Sequence, residues 1–86
     1  MNLGFTPTGQ EDFTSWADRD RTTYRKVPAL LKEVLRTPVE GTGKPEPLMY
    51  QLGNIWSRRI TQERRLVYAV ESDQIVVFAA RFHYGD

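Results

Sequence analysis

The chain has 86 residues, with 12 Lys and Arg against 11 Asp and Glu and a formal net charge of +1. At that length only about 60% of the unfolded chain's surface can be hidden, which leaves room for one core, so residues 1–86 are read as a single domain. With no Cys and a single His, disulfide scaffolds, Cys-based zinc ribbons, thiol catalysis and multi-histidine metal centres are excluded; no cofactor is expected, although carboxylates alone can hold Mg²⁺.

Charged residues make up 27% and aromatic residues 12%, the balance of a folded globule rather than a disordered chain. The opening MNLGFTPTGQED has neither a basic nor an apolar signal region. No run approaches the length of a membrane span. The expectation is a cytoplasmic protein with no membrane partner.

In chain order, Asn2 to Phe5 suits a short strand that Thr6-Pro7-Thr8-Gly9 ends. A helix then starts in one of two ways. Thr8 followed by Glu11 has the form of a capping box, and Thr6 with Pro7 at the first helical position is an equally good start. Either helix carries Phe13, Trp16 and Ala17 on one side. Asp20 reads as the N-cap of a second helix, where Tyr24, Val27, Leu31, Val34 and Leu35 form an apolar stripe. Pro28 lies inside that stripe and predicts a kink or a late start. Thr37-Pro38 stops the helix. PVEGTGKPEP, from Pro38 to Pro47, is too rich in Pro and Gly for a regular element and reads as a surface loop.

Beyond it the pattern alternates. Leu48 to Leu52, Ile55 to Ile60, Arg65 to Val70 and Ile75 to Phe82 read as strands, with turns at Gly53-Asn54, Thr61-Gln62 and Ser72-Asp73. Such short connections imply antiparallel pairing. The fold class is α+β: a short N-terminal strand and a two-helix hairpin packed on one face of an antiparallel sheet.

The other face is where chemistry can gather. In SRRITQERRL, Arg58, Arg59, Arg64 and Arg65 meet a single acid, Glu63. Alternation puts Ser57 with Arg59 on one face of their strand, and Arg81 with His83 on one face of theirs. Such a face suits a phosphodiester; equally, these are solvated outward positions of half-buried strands. His83 ends the last strand, and imidazole is the side chain best suited to proton transfer near neutral pH. Tyr84 beside it is either an edge aromatic or a platform for a base. Glu46, between Pro45 and Pro47, is a stiffly held candidate base or simply the launch of the next strand. Lys44, Arg58, Arg59 and Arg81 are candidate RNA or phosphate contacts.

Three runs together, GTGKPEPLMYQL, WSRRITQERRLVYAV and ARFHY, resemble the YoeB toxins of bacterial toxin–antitoxin systems, within the RelE superfamily. The resemblance runs from about Leu35 to Tyr84, and more weakly through the helical half, where Ser15-Trp16 has the expected place. It implies a compact microbial ribonuclease-like α+β fold and cleavage of mRNA in the A site of the 70S ribosome. It makes Glu46 the catalytic glutamate, Arg65 the transition-state arginine, His83 and Tyr84 the catalytic histidine and its neighbour, and Arg59 a basic contributor. Two departures stand out: Met49 replaces a frequent Lys, and Gly85-Asp86 extend past a tyrosine that commonly ends the chain.

Chemistry of this kind needs no metal, because RNA carries its own nucleophile, the 2′-OH. The resemblance also implies a YefM-like antitoxin whose acidic tail folds against the basic face, a homodimer as one possible state, and DNA contact only through the antitoxin. Against it stand a non-catalytic toxin of the gyrase-poison type, which lacks the set Glu46, Arg65 and His83, and an inactive antitoxin-binding member, which Met49 alone favours.

Overall fold

The computed structural model describes residues 1–48 and 54–83, and capping chemistry sets the shape of its first half. Strand β1 (Asn2–Phe5) leads directly into helix α1 (Pro7–Arg19). Of the two possible starts, Thr6 with Pro7 is used. The Thr6 hydroxyl accepts the Gly9 N–H at 3.1 Å, and Pro7 takes a position where no backbone donor is needed. Asp20 then serves both helices. Its N–H closes α1 on the Trp16 carbonyl, while its carboxylate caps α2 (Arg21–Arg36) through the N–H groups of Thr22 and Thr23 and the Thr23 hydroxyl. Those bonds, the Thr23 hydroxyl foremost, hold the Asp20 carboxyl below the usual carboxylate range. Helix α2 begins at Arg21, so no late start occurs, and it continues through Pro28, which lies exposed. Thr37 caps its end, where the Thr37-Pro38 stop was expected.

Among the described residues the remaining strands are β2 (Glu46–Pro47), β3 (Ile55–Arg59), β4 (Arg64–Val70) and β5 (Gln74–His83). With β1 they form one sheet in the order β1-β5-β4-β3-β2. Strand β2 corrects the view of Pro38 to Pro47 as wholly irregular, since Glu46 pairs with Ser57 and Pro47 with Trp56. It is an edge strand, where a Pro without an N–H is tolerated. The pairs β2–β3, β3–β4 and β4–β5 are antiparallel, as expected for the last two from the short turns that join them. Strand β1 runs parallel to β5, so the sheet is mixed. No short turn joins that pair, and nothing local sets its direction. Most of the strand expected over Leu48 to Leu52 lies outside the described residues, as do Met49, Gly53, Tyr84, Gly85 and Asp86.

The helices cover one face of the sheet, where Trp16, Val27 and Leu31 meet Leu66, Tyr68 and Ile75 in the core. Strand β5 is not regular. Its register on β4 slips twice: Tyr68 pairs with Val77, Val67 with Ala79, and Arg65 with Phe82. Each slip places an extra residue in β5 and reverses its alternation. Helix α1 is built to fit that backbone. A Cβ on Gly9 would collide with the Val77 carbonyl oxygen. The Thr6 hydroxyl reaches the carbonyls of Val77 and Phe78, both at 3.3 Å. Around Ala80, the Asp12 carboxylate accepts the N–H at 3.1 Å and the Trp16 indole donates to the carbonyl at 2.7 Å.

Candidate functional site

Cross-strand partners share a face of a sheet. On the face turned away from the helices, one row reads Glu46, Ser57, Val67 and the next reads Arg59, Arg65, Phe82. Ser57 joins the two rows. It is the ladder partner of Glu46, and its hydroxyl accepts the Arg65 Nε–H at 3.0 Å. The Arg65 Nη2 group donates to the Ser57 carbonyl at 3.3 Å and to the Lys44 carbonyl at 3.1 Å. Arg65 is thus only 2% exposed, with its guanidinium held beneath the chain that carries Glu46. Glu46, Lys44 and Arg59 are exposed around it. The Lys44 backbone stands at φ 52°, after Gly43 at φ 90°.

Arg58 does not belong to this group. It is 0% exposed and lies on the helix side of β3, opposite Leu66. Its Nη2 group donates to the carbonyls of Thr37 (2.9 Å), Pro38 (3.3 Å) and Glu40 (2.9 Å), and Nη1 pairs with Glu33 at 3.4 Å. The expected phosphate contact is therefore an internal pillar that pins the Pro/Gly loop to the end of α2. The loop in turn needs Gly43, because a Cβ there would stand 2.6 Å from the Arg58 Cγ and 2.8 Å from the Arg59 carbonyl oxygen. The Tyr68 hydroxyl donates to the Pro38 carbonyl at 2.6 Å from below. Burial pushes that hydroxyl's pKa up, against a downward pull from Arg58.

The expected grouping of Arg81 and His83 with Ser57 and Arg59 also changes, because the two slips in β5 shift its alternation. Arg81 turns toward α1, with Nη2 at 3.9 Å from the Asp12 carboxylate, and its carbonyl accepts from Arg64 Nη1 at 3.3 Å. It lines a cleft of about 390 Å³ with Arg19 and Arg64, on the helix side of the sheet. His83 pairs with Arg64, one residue beyond the Arg65–Phe82 pair, so its ladder position at the end of β5 lies on the face opposite Arg65 rather than on the expected open face. Tyr84 lies outside the described residues. Among the described residues no three His, Cys, Asp or Glu side chains cluster as metal ligands, and no helix is long and apolar enough to cross a membrane.

Two contributors escaped the sequence reading. Alternation puts Ser57 on the open face, but nothing near it in the chain shows that it holds Arg65. Phe82 read only as strand, yet it is 45% exposed beside Arg65. For Arg58 a signal did exist: it stands two residues from both Trp56 and Ile60, so strict alternation already puts it on their apolar side.

The fold and this face define a small α+β domain in which an exposed carboxylate and a buried, clamped arginine are linked through one serine. Residues 5–84 match the family model of the YoeB-like toxins of bacterial type II toxin–antitoxin systems. Toxin YoeB of Escherichia coli K12 is 45% identical over 84 residues, covering 98% of this chain and all of that protein. The YoeB/ParE toxin of Agrobacterium tumefaciens superposes with a TM-score of 0.89 at 40% identity, over 98% of this chain and 100% of its own. YoeB of Staphylococcus aureus does so as a dimer (TM-score 0.88, 38% identity) and in a heterotetrameric YoeB–YefM complex (0.83, 38%), each over 98% of both chains. The chain belongs to the YoeB-like toxin family.

Proposed function

We propose that this toxin is an endoribonuclease that cuts mRNA in the ribosomal A site, without a metal, through the RNA's own 2′-OH. One observation carries the proposal: Glu46 is the ladder partner of Ser57, whose hydroxyl takes the Arg65 Nε–H, with Arg59 opposite Arg65 in the next row of the same face. Glu46 takes the 2′-OH proton as general base. Attack on the phosphorus adds negative charge to the phosphate oxygens. Arg65, fixed before substrate arrives, stabilises that charge, and the exposed Arg59 holds the phosphate from the side. His83 is the general acid for the leaving 5′ oxygen, a role that requires its ring to turn round the end of β5 from its ladder position opposite Arg64, and Tyr84, next in sequence, is a nucleotide contact. The products are a 2′,3′-cyclic phosphate and a 5′-OH, and DNA is not cut. Lys44 adds positive charge at the mouth, and the ribosome supplies the remaining positioning.

The toxin would act in the cytoplasm, where ribosomes are. The YefM complex of the Staphylococcus aureus relative supports a YefM-like antitoxin as the restraint here, and that relative's dimer supports a homodimer. An acidic antitoxin segment laid over Arg59 and Arg65 would block the site by charge and by bulk.

The test is cleavage of a defined mRNA with and without programmed ribosomes, with mapped ends. Glu46→Ala and His83→Ala should each slow cutting by roughly 10²- to 10⁴-fold. A 2′-O-methyl group at the cut site should abolish it. Cutting that survives 2′-O-methylation rejects the mechanism. No cutting in either tube rejects the ribonuclease and leaves a binding toxin.

A further inference from the structure

We infer that Phe82 is a nucleobase platform, so that the row Arg59–Arg65–Phe82 forms one nucleotide subsite with phosphate held at its arginines and a base stacked at its aromatic end. The inference rests on the ribonuclease reading above and adds a substrate contact to it.

Single exposed apolar side chains are common and need no explanation. Phe82 differs from that background in its surroundings. Among the described residues two phenylalanines are well exposed, Phe78 at 39% and Phe82 at 45%. Phe78 has a structural reason: it is the extra residue at the first register slip, and its carbonyl is engaged by the Thr6 hydroxyl. Phe82 has no such reason, because it stands at a paired ladder position, level with Arg65. The two backbones therefore stand one strand spacing apart, about 4.8 Å, with the Arg65 guanidinium reaching on to Ser57 and Lys44.

RNA-binding surfaces combine these same two parts. Cations follow the backbone while aromatic faces take unstacked bases, whatever their identity. A flat ring beside fixed guanidinium groups lets one nucleotide be held at two points. That orients its ribose, and so the 2′-OH, toward Glu46 in the neighbouring row. Phe82 acts on the chemistry only through substrate position and is a binding residue, not an acid or base.

The experiment measures single-turnover cleavage of ribosome-bound mRNA by the wild-type protein and by Phe82→Tyr, Phe82→Leu and Phe82→Ala. A set of mRNAs carries one abasic nucleotide at each position around the cut. Phe82→Tyr should stay within about two-fold of wild type, because the ring is kept. Phe82→Leu and Phe82→Ala should lose roughly 5- to 100-fold, the range of one lost base–aromatic stack. One abasic position should cost the wild type a similar factor and cost Phe82→Ala nothing more. Leucine restoring full rate, or abasic penalties in Phe82→Ala equal to the wild type's at every position, overturns the platform alone. Wild-type protein that cuts no mRNA removes the ribonuclease reading and the platform together.

Discussion

Arg58 and Arg59 adjoin in the chain and answer to different physics. Arg59 is exposed and costs little to hold. Arg58 carries a full charge in the interior and is stable there only because three carbonyls and Glu33 surround its guanidinium. Removing such a group strands its partners, so Arg58→Ala should cost about 3–5 kcal/mol in urea unfolding. Arg58→Lys should recover only part of that, because an ammonium cannot span the same carbonyls as a planar fork. If Arg58→Ala unfolds at the wild-type midpoint, the pillar role is wrong. Beneath it, Tyr68 makes a second prediction. Its folded pKa lies above its ordinary value near 10. The folded state then keeps a proton that the unfolded state releases, so stability is fully present below pH 10 and falls as pH rises through the folded value. Tyr68→Phe should lose about 1 kcal/mol at neutral pH with its hydrogen bond to Pro38. It should also show a shallower alkaline decline in melting temperature between pH 9 and 11.

Between elements, the contact that sets the site is the one between α1 and β5. The two slips take Phe78 and Ala80 out of the ladder with β4, and α1 and its cap supply partners: Thr6 for the Phe78 carbonyl, Asp12 for the Ala80 N–H and Trp16 for the Ala80 carbonyl. Asp12→Ala should strand the Ala80 N–H, at a cost of about 1–3 kcal/mol. The loss should be local, so amide exchange from Ala80 to His83 should quicken by roughly 5- to 100-fold while β3 and β4 keep their protection. Uniform quickening across the sheet would show that α1 does not act on β5 in particular. The same contact explains what the sequence could not reveal. Helix starts were legible because a cap is a matter of neighbours: Thr6 beside Pro7, and Asp20 before Thr22 and Thr23. QIVVFAARFH, by contrast, reads as uninterrupted strand, since a bulge is decided by the helix lying across it. Hence Arg81 was expected on the open face with His83. The parallel pairing of β1 was hidden for a similar reason, its partner being the last strand of the described chain.

Taken as a whole, the proposed ribonuclease would divide its work between the two faces of one sheet, and adjacent residues of β4 can test the division. Leu66 is fully buried on the helix face, and Arg65 lies on the other. Leu66→Ala should cost about 2–5 kcal/mol, yet leave cleavage per folded molecule unchanged at a temperature below its lowered midpoint. Arg59→Ala should do the reverse. Its stability should stay within about 0.5 kcal/mol of wild type. Its cleavage should fall roughly 10- to 100-fold, as one charge-assisted phosphate contact is worth. Arg65 belongs to both accounts, because the group that would meet the phosphate is also the buried donor to Ser57 and Lys44. Arg65→Ala should therefore lose stability and activity together, and Arg65→Lys should restore more of the first than of the second. Urea unfolding and single-turnover cleavage on the same four proteins decide the matter. A Leu66→Ala protein that is folded but as slow as Arg59→Ala would mean that the faces are coupled, and that the site depends on the core beneath it rather than on the open rows alone.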